Sequence, residues 1–320
     1  LDVAGLVPDA WQGRGLGNMF LDDLRQADVL IHIVDASGST DIEGNSVPLG
    51  SHDPVEDVEF LKNEIACWMR GILEKGWDKA ARQAYQTGQR IEIVIHEKLT
   101  GLGVTESQIS AAMRDVELSS NPLSWSPEDM LQLMHHIRKY AKPIIVAMNK
   151  ADMANDETLE RIKKAAGRMA IPTCAEAELA LKKAAKGGLI SYKPGDSSFK
   201  TMDGVNLSDG QKAALDKISE EISRYGTGVQ NCIEKAVYEL LEMISVYPVE
   251  DESKLTDHDG RVLPDVFLVP NGTTARELAY KIHTDLGDTF IRAINVRPHR
   301  TVGSDYILLN NDVISIVSRK

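Results

Sequence analysis

The chain has 320 residues, 42% of them apolar and 26% charged, which is ordinary globular composition with room for two or three domains. No run approaches the ~18 to 20 apolar residues of a membrane span, and the first residues lack the basic and apolar regions of a signal peptide. The expectation is a soluble cytoplasmic protein without a membrane partner. A formal net charge of −12 argues against a whole-surface nucleic-acid binder, and no DNA partner is expected. The charge is uneven, however. Residues 255–320 carry eight Lys or Arg against eight Asp or Glu, so the preceding 254 residues, with 28 against 40, hold the whole excess. A neutral tail follows an acidic body. Cys67, Cys174 and Cys232 lie far apart, fit no C-x-x-C spacing and read as reduced thiols.

In chain order, the first feature is Asp2-Val3-Ala4-Gly5, a D-x-x-G sequence. In nucleotide switches the Asp of this motif holds Mg2+ through water. The Gly N–H meets the γ-phosphate where a Cβ would block approach. Leu6 follows instead of the Gln that orients attacking water in Ras-like enzymes, and nothing aims the nearby Gln12. The catalytic water-positioning group is unidentified. Gly13, Gly15 and Gly17 lack dinucleotide-loop spacing and are read as a mobile switch entering a helix from Asn18 to Gln26.

DVLIHIVDA (28–36) and KPIIVAMNKAD (142–152) are apolar runs of strand length, and IPTCA (171–175) is a shorter one. Buried strands alternating with helical pattern predict a parallel α/β sheet, with ligands at the carboxyl ends of its strands. More than 100 residues separate the first two runs, too many for one crossover helix. Within them Val58, Leu61, Ile65, Trp68 and Ile72 recur at three and four spacing up to Gly76. Trp77, Ala81, Ala84, Gly88, Ile91 and Ile95 do the same. An antiparallel helical hairpin is expected. Thr105 to Gln108 reads as a capping box opening a third helix, and Ser126-Pro127-Glu128-Asp129 opens a fourth.

Beyond Cys174 a helix is expected to about Lys186, then a loop from Gly187 to Met202. A helix capped at Ser208 to Gln211 follows, and another from Val229 to Ile244. The acidic VEDES (249–253) reads as a linker. VFLV, a capped helix from Thr274 to Leu286, FIRAINV and ISIV then give a small α+β unit.

Asn149-Lys150-Ala151-Asp152 carries the most chemistry. An Asp carboxylate after a buried strand can accept from guanine N1–H and the 2-amino group, a pair of donors adenine does not offer. Asn149 would bond the base edge and tie neighbouring loops, while the Lys150 stem covers the ring. At the next strand end, Thr173-Cys174-Ala175 stands where guanine-binding folds present a backbone N–H to O6. A strand end packed with small residues is the bland reading of that tripeptide. His135, His136, His52 and Asp53 lack a third ligand at metal spacing and are read as solvated or capping. His32, Asp35 and His283 are read as structural. Arg292, Arg297, His299 and Arg300 are candidate phosphate contacts, with a scattered solvated face as the equal alternative.

The first forty residues, NKAD, KIHTDLG (281–287) and NNDVISIV resemble Obg-related GTPases of the YchF type, especially the archaeal branch. The similarity runs over essentially the whole chain. It implies a P-loop GTPase-type α/β sheet, a helical insert and a C-terminal β-grasp (TGS) domain. The expected division is 1–52 and 123–250 for the G domain, 53–122 for the insert and 251–320 for the TGS domain. It also implies GTP and GDP as ligands, Mg2+ as cofactor, and association with ribosomes or ribosomal RNA through the insert and TGS domain. Asp2 would serve the metal. Gly5, Asn149, Lys150, Asp152, Thr173, Cys174 and Ala175 would serve the nucleotide. Many such proteins replace N-K-x-D and favour ATP; Asp152 makes GTP the expected nucleotide here.

One departure stands out. No G-x-x-x-x-G-K-[ST] sequence occurs in the 320 residues. The expectation is an N-terminally incomplete G domain, inactive as a GTPase alone. The alternative is a noncatalytic adaptor that binds ribosome or RNA through the insert and TGS domain.

Overall fold

The computed structural model describes residue 11 and residues 23–319. Asp2, Gly5, Leu6, Gln12 and the three glycines from Gly13 lie outside the described residues. So does most of the expected helix from Asn18, of which residues 23–26 are described and helical. The chain divides into two compact units, Leu1–Ala236 and Val237–Lys320.

The first unit is organised on a three-stranded parallel sheet of β1 (Leu30–Asp35), β2 (Ile144–Asn149) and β3 (Ala170–Pro172), in that order. β2 lies in the middle, which explains why its sequence is an unbroken apolar run instead of an alternating one. Helices α1 (Pro54–Glu74) and α6 (Asp156–Ala166) cover the sheet. Val58 of α1 and Leu159 and Ile162 of α6 pack with Val34, Val146 and Met148.

Between β1 and β2 run α1, α2 (Trp77–Thr87), α3 (Ile91–Leu99), α4 (Glu106–Arg114) and α5 (Pro127–Ala141). Their shared core gathers Leu61, Ile65, Met69, Leu73, Ile95, Leu99, Ile109, Leu133 and Ile137. Trp77 stacks on Trp125 with ring centroids 5.4 Å apart. The expected capping box at Thr105 with Gln108 is present, and the helix expected from Ser126 opens with a second one, Ser126 with Asp129. The second seam of the expected hairpin is two helices. Gly88, with φ of 71°, donates its N–H to Ala84 O and closes α2, and α3 restarts at Ile91.

After β3 come α7 (Ala175–Lys186), the antiparallel pair β4 (Ile190–Ser191) and β5 (Lys200–Thr201), α8 (Asp209–Tyr225) and α9 (Val229–Glu234). The stretch expected to be a plain loop thus holds a short hairpin. The expected helix from Val229 to Ile244 gives way to a π-helical turn at Lys235–Leu240 and then to strand β6 (Met243–Val249). The sequence MISVYPV is β-branched and aromatic, and it carries a proline a helix interior would reject.

β6 belongs to the second unit. With β7 (Phe267–Pro270), β8 (Phe290–Asn295), β9 (Arg300–Val302) and β10 (Asp312–Ser318) it forms a five-stranded sheet in the order β7-β6-β10-β8-β9. β6 and β10 pair in parallel at its centre, while the remaining pairs are antiparallel. Helix α10 (Ala275–Ile282) buries Ala275 and Leu278 against Val246, Val269, Ala293 and Ile314. The single helix expected to reach Leu286 breaks at His283, whose extended backbone ends α10 and whose Nδ1 accepts from Asp285 N at the start of α11 (Thr284–Asp288). The architecture is mixed α/β with a β-grasp sheet in the second unit. The boundary expected at residue 250 follows β6, whereas the compact second unit begins before it. Among the described residues no helix is long and apolar enough to cross a membrane.

Candidate functional site

The carboxyl ends of β1, β2 and β3 meet through backbone bonds. Ala36 N donates to Asn149 O, Thr173 N to Met148 O and Ala151 N to Thr173 O, at 2.9, 2.9 and 3.2 Å. The turn after β2 places Lys150 at φ 58°, a left-handed conformation unusual for a side chain of this length. That turn sends two motif side chains back into the protein. Lys150 Nζ donates to Asp35 Oδ2 at 2.7 Å and to Ser39 Oγ at 2.9 Å. Asn149 Oδ1 accepts from Ala175 N at 3.1 Å, tying the β2 turn to the first residue of α7.

Asp35 is nearly enclosed. It also accepts from Ser37 N and from the hydroxyls of Ser37, Ser39 and Thr40. Burial alone would raise its pKa; the bonds from Lys150, Ser37, Thr40 and Ser39 outweigh it and hold the carboxyl well below the usual carboxylate range. Read as structural, Asp35 proves to be the residue that fastens Lys150.

Asp152 points the other way. It lines a cleft of ≈ 220 Å³ with Ala151, Pro172, Thr173 and Cys174 on one side and, on the other, Glu220, Glu221, Ile222, Arg224 and Tyr225 of α8 with Gly226 just beyond it. The Cys174 thiol is pushed up to about 11, first by burial and further by the Asp152 carboxylate, so it is a neutral group at physiological pH. Thr173 lies buried beneath, with its hydroxyl on Ile171 O at 3.0 Å.

The far wall is braced by a network that sequence reading missed. Glu178 of α7, buried, accepts from Tyr192 Oη at 2.7 Å and from Thr227 Oγ1 at 2.6 Å. Thr227 O in turn accepts from Cys174 N at 2.9 Å. Gly228 has φ of 73°, and a Cβ there would stand 2.0 Å from Pro172 O. These residues come from four separate sequence segments, and no local spacing announces them.

The other candidates hold fold positions. Asp53 caps α1, His52 pairs with Asp57 at 2.9 Å, and His136 lies 3.8 Å from Asp115. In the second unit Arg292, Arg297, His299 and Arg300 are all exposed. They do not form one patch. Arg300 stands opposite Asn295 across the β8–β9 pair, and strand alternation puts Arg292 on the other face of the sheet.

Residues 147–251 match the family model described as "Obg-like GTPase YGR210-like, G4 motif-containing domain", and residues 255–318 match the TGS domain. A curated relative, an uncharacterized GTP-binding protein of Methanocaldococcus jannaschii, is 52% identical over 99% of this chain and 80% of its own. The chain belongs to the YchF-like Obg family of GTPases. A second relative, an uncharacterized GTP-binding protein of Schizosaccharomyces pombe, is 32% identical over 88% of this chain and 71% of its own. The ribosome-binding ATPase YchF of Escherichia coli O157:H7 is 22% identical over 99% and 80%. Among solved structures, a GTP-binding protein from Pyrococcus horikoshii is 46% identical, covering 94% of this chain and 81% of that one, with a TM-score of 0.69. The S. pombe YchF GTPase, 18% identical with a TM-score of 0.55 over 95% and 75%, shows the shared fold.

Proposed function

We propose that the protein binds GTP and hydrolyses it to GDP and phosphate as a cytoplasmic switch that acts on the ribosome. One observation carries the base assignment. Of the N-K-A-D side chains, Lys150 and Asn149 are fastened to Asp35 and Ala175, while the Asp152 carboxylate faces an open cleft of ≈ 220 Å³. An acceptor pair at that place suits the two donors of guanine's N1–H and 2-amino group. The Ala175 N–H would reach O6 by sharing or leaving its bond to Asn149. Support for GTP over ATP rests on Asp152 and on relatives named as GTP-binding. The relatives named YchF are ribosome-binding ATPases, which supports the ribosome as partner. For that contact we propose the TGS domain and the helical insert.

Mg2+ is proposed as the metal, with Asp2 as its ligand and Gly5 at the γ-phosphate; both lie outside the described residues. The described group that could gather a cation is Asp152, Cys174 and Glu221. It does not suit Mg2+, which takes six hard oxygen ligands, because one of its three members is a neutral thiol.

The test is Asp152→Asn in the full-length protein. Exchanging the carboxylate for an amide reverses the pattern required at the base. The variant is expected to lose GTP affinity and to gain affinity for xanthosine triphosphate, whose ring carries an oxygen in place of the 2-amino group. Unchanged GTP affinity would remove Asp152 from the pocket.

A further inference from the structure

The cleft has a second carboxylate that the N-K-A-D motif does not include. Glu221 sits one turn from the end of α8 and lines the same space. One oxygen of Glu221, one of Asp152 and Cys174 Sγ all lie within 4.8 Å of one another. The charged or titratable groups around Glu221 are Asp152 after β2, Cys174 and Glu176 at the start of α7, and Lys217 on its own helix, with Glu220 and Arg224 also lining the cleft and Arg224 paired with Asp156 at 3.2 Å. Lys217 Nζ is 3.6 Å away but 74% exposed, so solvent screens it, while the Glu221 side chain is only 19% exposed. Burial first, and the Asp152 charge second, raise the Glu221 carboxyl above its ordinary range. Two carboxylates thus converge on one cleft beside a neutral thiol. Such a pair is satisfied by a ligand edge rich in N–H donors.

Guanine has such an edge. Its N1–H and one hydrogen of the 2-amino group account for Asp152. The second amino hydrogen points away from that pair, toward the neighbouring wall of the pocket, and once the base displaces water from the cleft it needs an acceptor of its own. Adenine presents a ring lone pair and a C–H in the same region, which two carboxylates would repel.

We propose that Glu221 is a specificity-determining residue of the base site, accepting the second hydrogen of the guanine 2-amino group beside Asp152. This rests on the guanine reading of the cleft. It assigns to α8 a role in recognition that the loop motifs alone do not contain.

The experiment compares GDP with inosine diphosphate, whose base keeps N1–H and O6 and lacks the 2-amino group, by calorimetric titration of the full-length protein. Glu221→Ala is expected to weaken GDP by roughly tenfold, the range for losing a charge-assisted hydrogen bond, and to leave IDP within about twofold. Glu221→Gln, which keeps an oxygen but loses the charge, is expected to fall between. Equal weakening of both nucleotides by Glu221→Ala would make the residue a mere brace of the helix and overturn the proposal, as would no change in either. Tight binding of Zn2+ alone, lost in Glu221→Ala, would assign the carboxylates to a metal and overturn it too. Asp152→Asn run in parallel separates the two readings. If that variant keeps its GDP affinity, the base site itself is misplaced. If it loses GDP while Glu221→Ala leaves the GDP to IDP ratio unchanged, only the role of Glu221 fails.

Discussion

Lys150 Nζ stands 2.7 Å from Asp35 Oδ2, at the paired ends of β2 and β1. The lysine of the base motif is therefore held by a neighbouring strand end, and its stem has little freedom to swing. Asp35→Ala should remove the carboxylate that Lys150 and three hydroxyls share, leaving Lys150 only its bond to Ser39 Oγ. The expected loss of stability is about 1–3 kcal/mol, read as a lower urea midpoint for the first unit, and nucleotide affinity should fall with it. The Asp35 pKa is depressed, so its stabilisation is complete above its ordinary value of 3.8 and is lost as pH falls below that value. A variant as stable as the parent at pH 7 would mean that solvent replaces the network without penalty.

His32 on β1 gives a second window of pH. Burial, and then the charge of Lys62, lower its pKa from 6.5 to about 4, so the folded chain keeps the ring neutral where the unfolded chain protonates it. Stability should therefore decline as pH falls from 6.5 toward 4, by no more than about 3 kcal/mol, and flatten below. His32→Val should remove that slope in denaturation curves taken at several pH values; an identical slope in the variant would assign the proton uptake elsewhere.

Gly228→Ala should disturb the base cleft from behind. Its φ of 73° disfavours any side chain, and the added Cβ would meet Pro172 O at 2.0 Å, so the turn that holds Thr227 on Cys174 N must shift. A loss of more than about 1 kcal/mol is expected, together with weaker GDP binding. Thermal unfolding with and without GDP measures both, and wild-type values for the two would show that the turn yields freely.

For the proposed ribosome contact, the pleat of the second sheet separates the basic residues. Arg297 and Arg300 lie near the β8–β9 turn, whereas Arg292 lies on the other face from Arg300. Arg297→Glu with Arg300→Glu should reduce ribosome co-sedimentation and flatten its salt dependence, because phosphate contacts release counterions. Arg292→Glu should have the smaller effect. Equal pelleting of all three proteins would move the contact to the helical insert.

The elements most legible in the sequence are those whose signals are local. The boxes at Thr105 and Ser126, the unbroken apolar strand ahead of Asn149 and the helix opened at Ser208 each rest on side chains within a few residues of one another. What escaped is set by distant pairing. The first two residues of β6 read as the tail of a helix until β10 lies beside the strand, and the basic residues of β8 and β9 read as one cluster until register separates them. Within the site, the N-K-A-D turn was visible because its chemistry lies in four consecutive residues. Glu221, Glu178 and Gly228 were not, because each matters through neighbours well separated in the sequence, as in the Thr227 to Glu178 bond across 49 positions.

The place of β6 governs how this protein can be dissected. The TGS match begins at residue 255, yet the strand lying between β7 and β10 is Met243–Val249. A fragment cut at 255 would contain a sheet missing an inner strand, with the facing edges of β7 and β10 bare and prone to self-association. The stump left behind would carry an orphaned apolar strand. A transplantable module, whether excised at the bench or exchanged between genes, must begin near Val237.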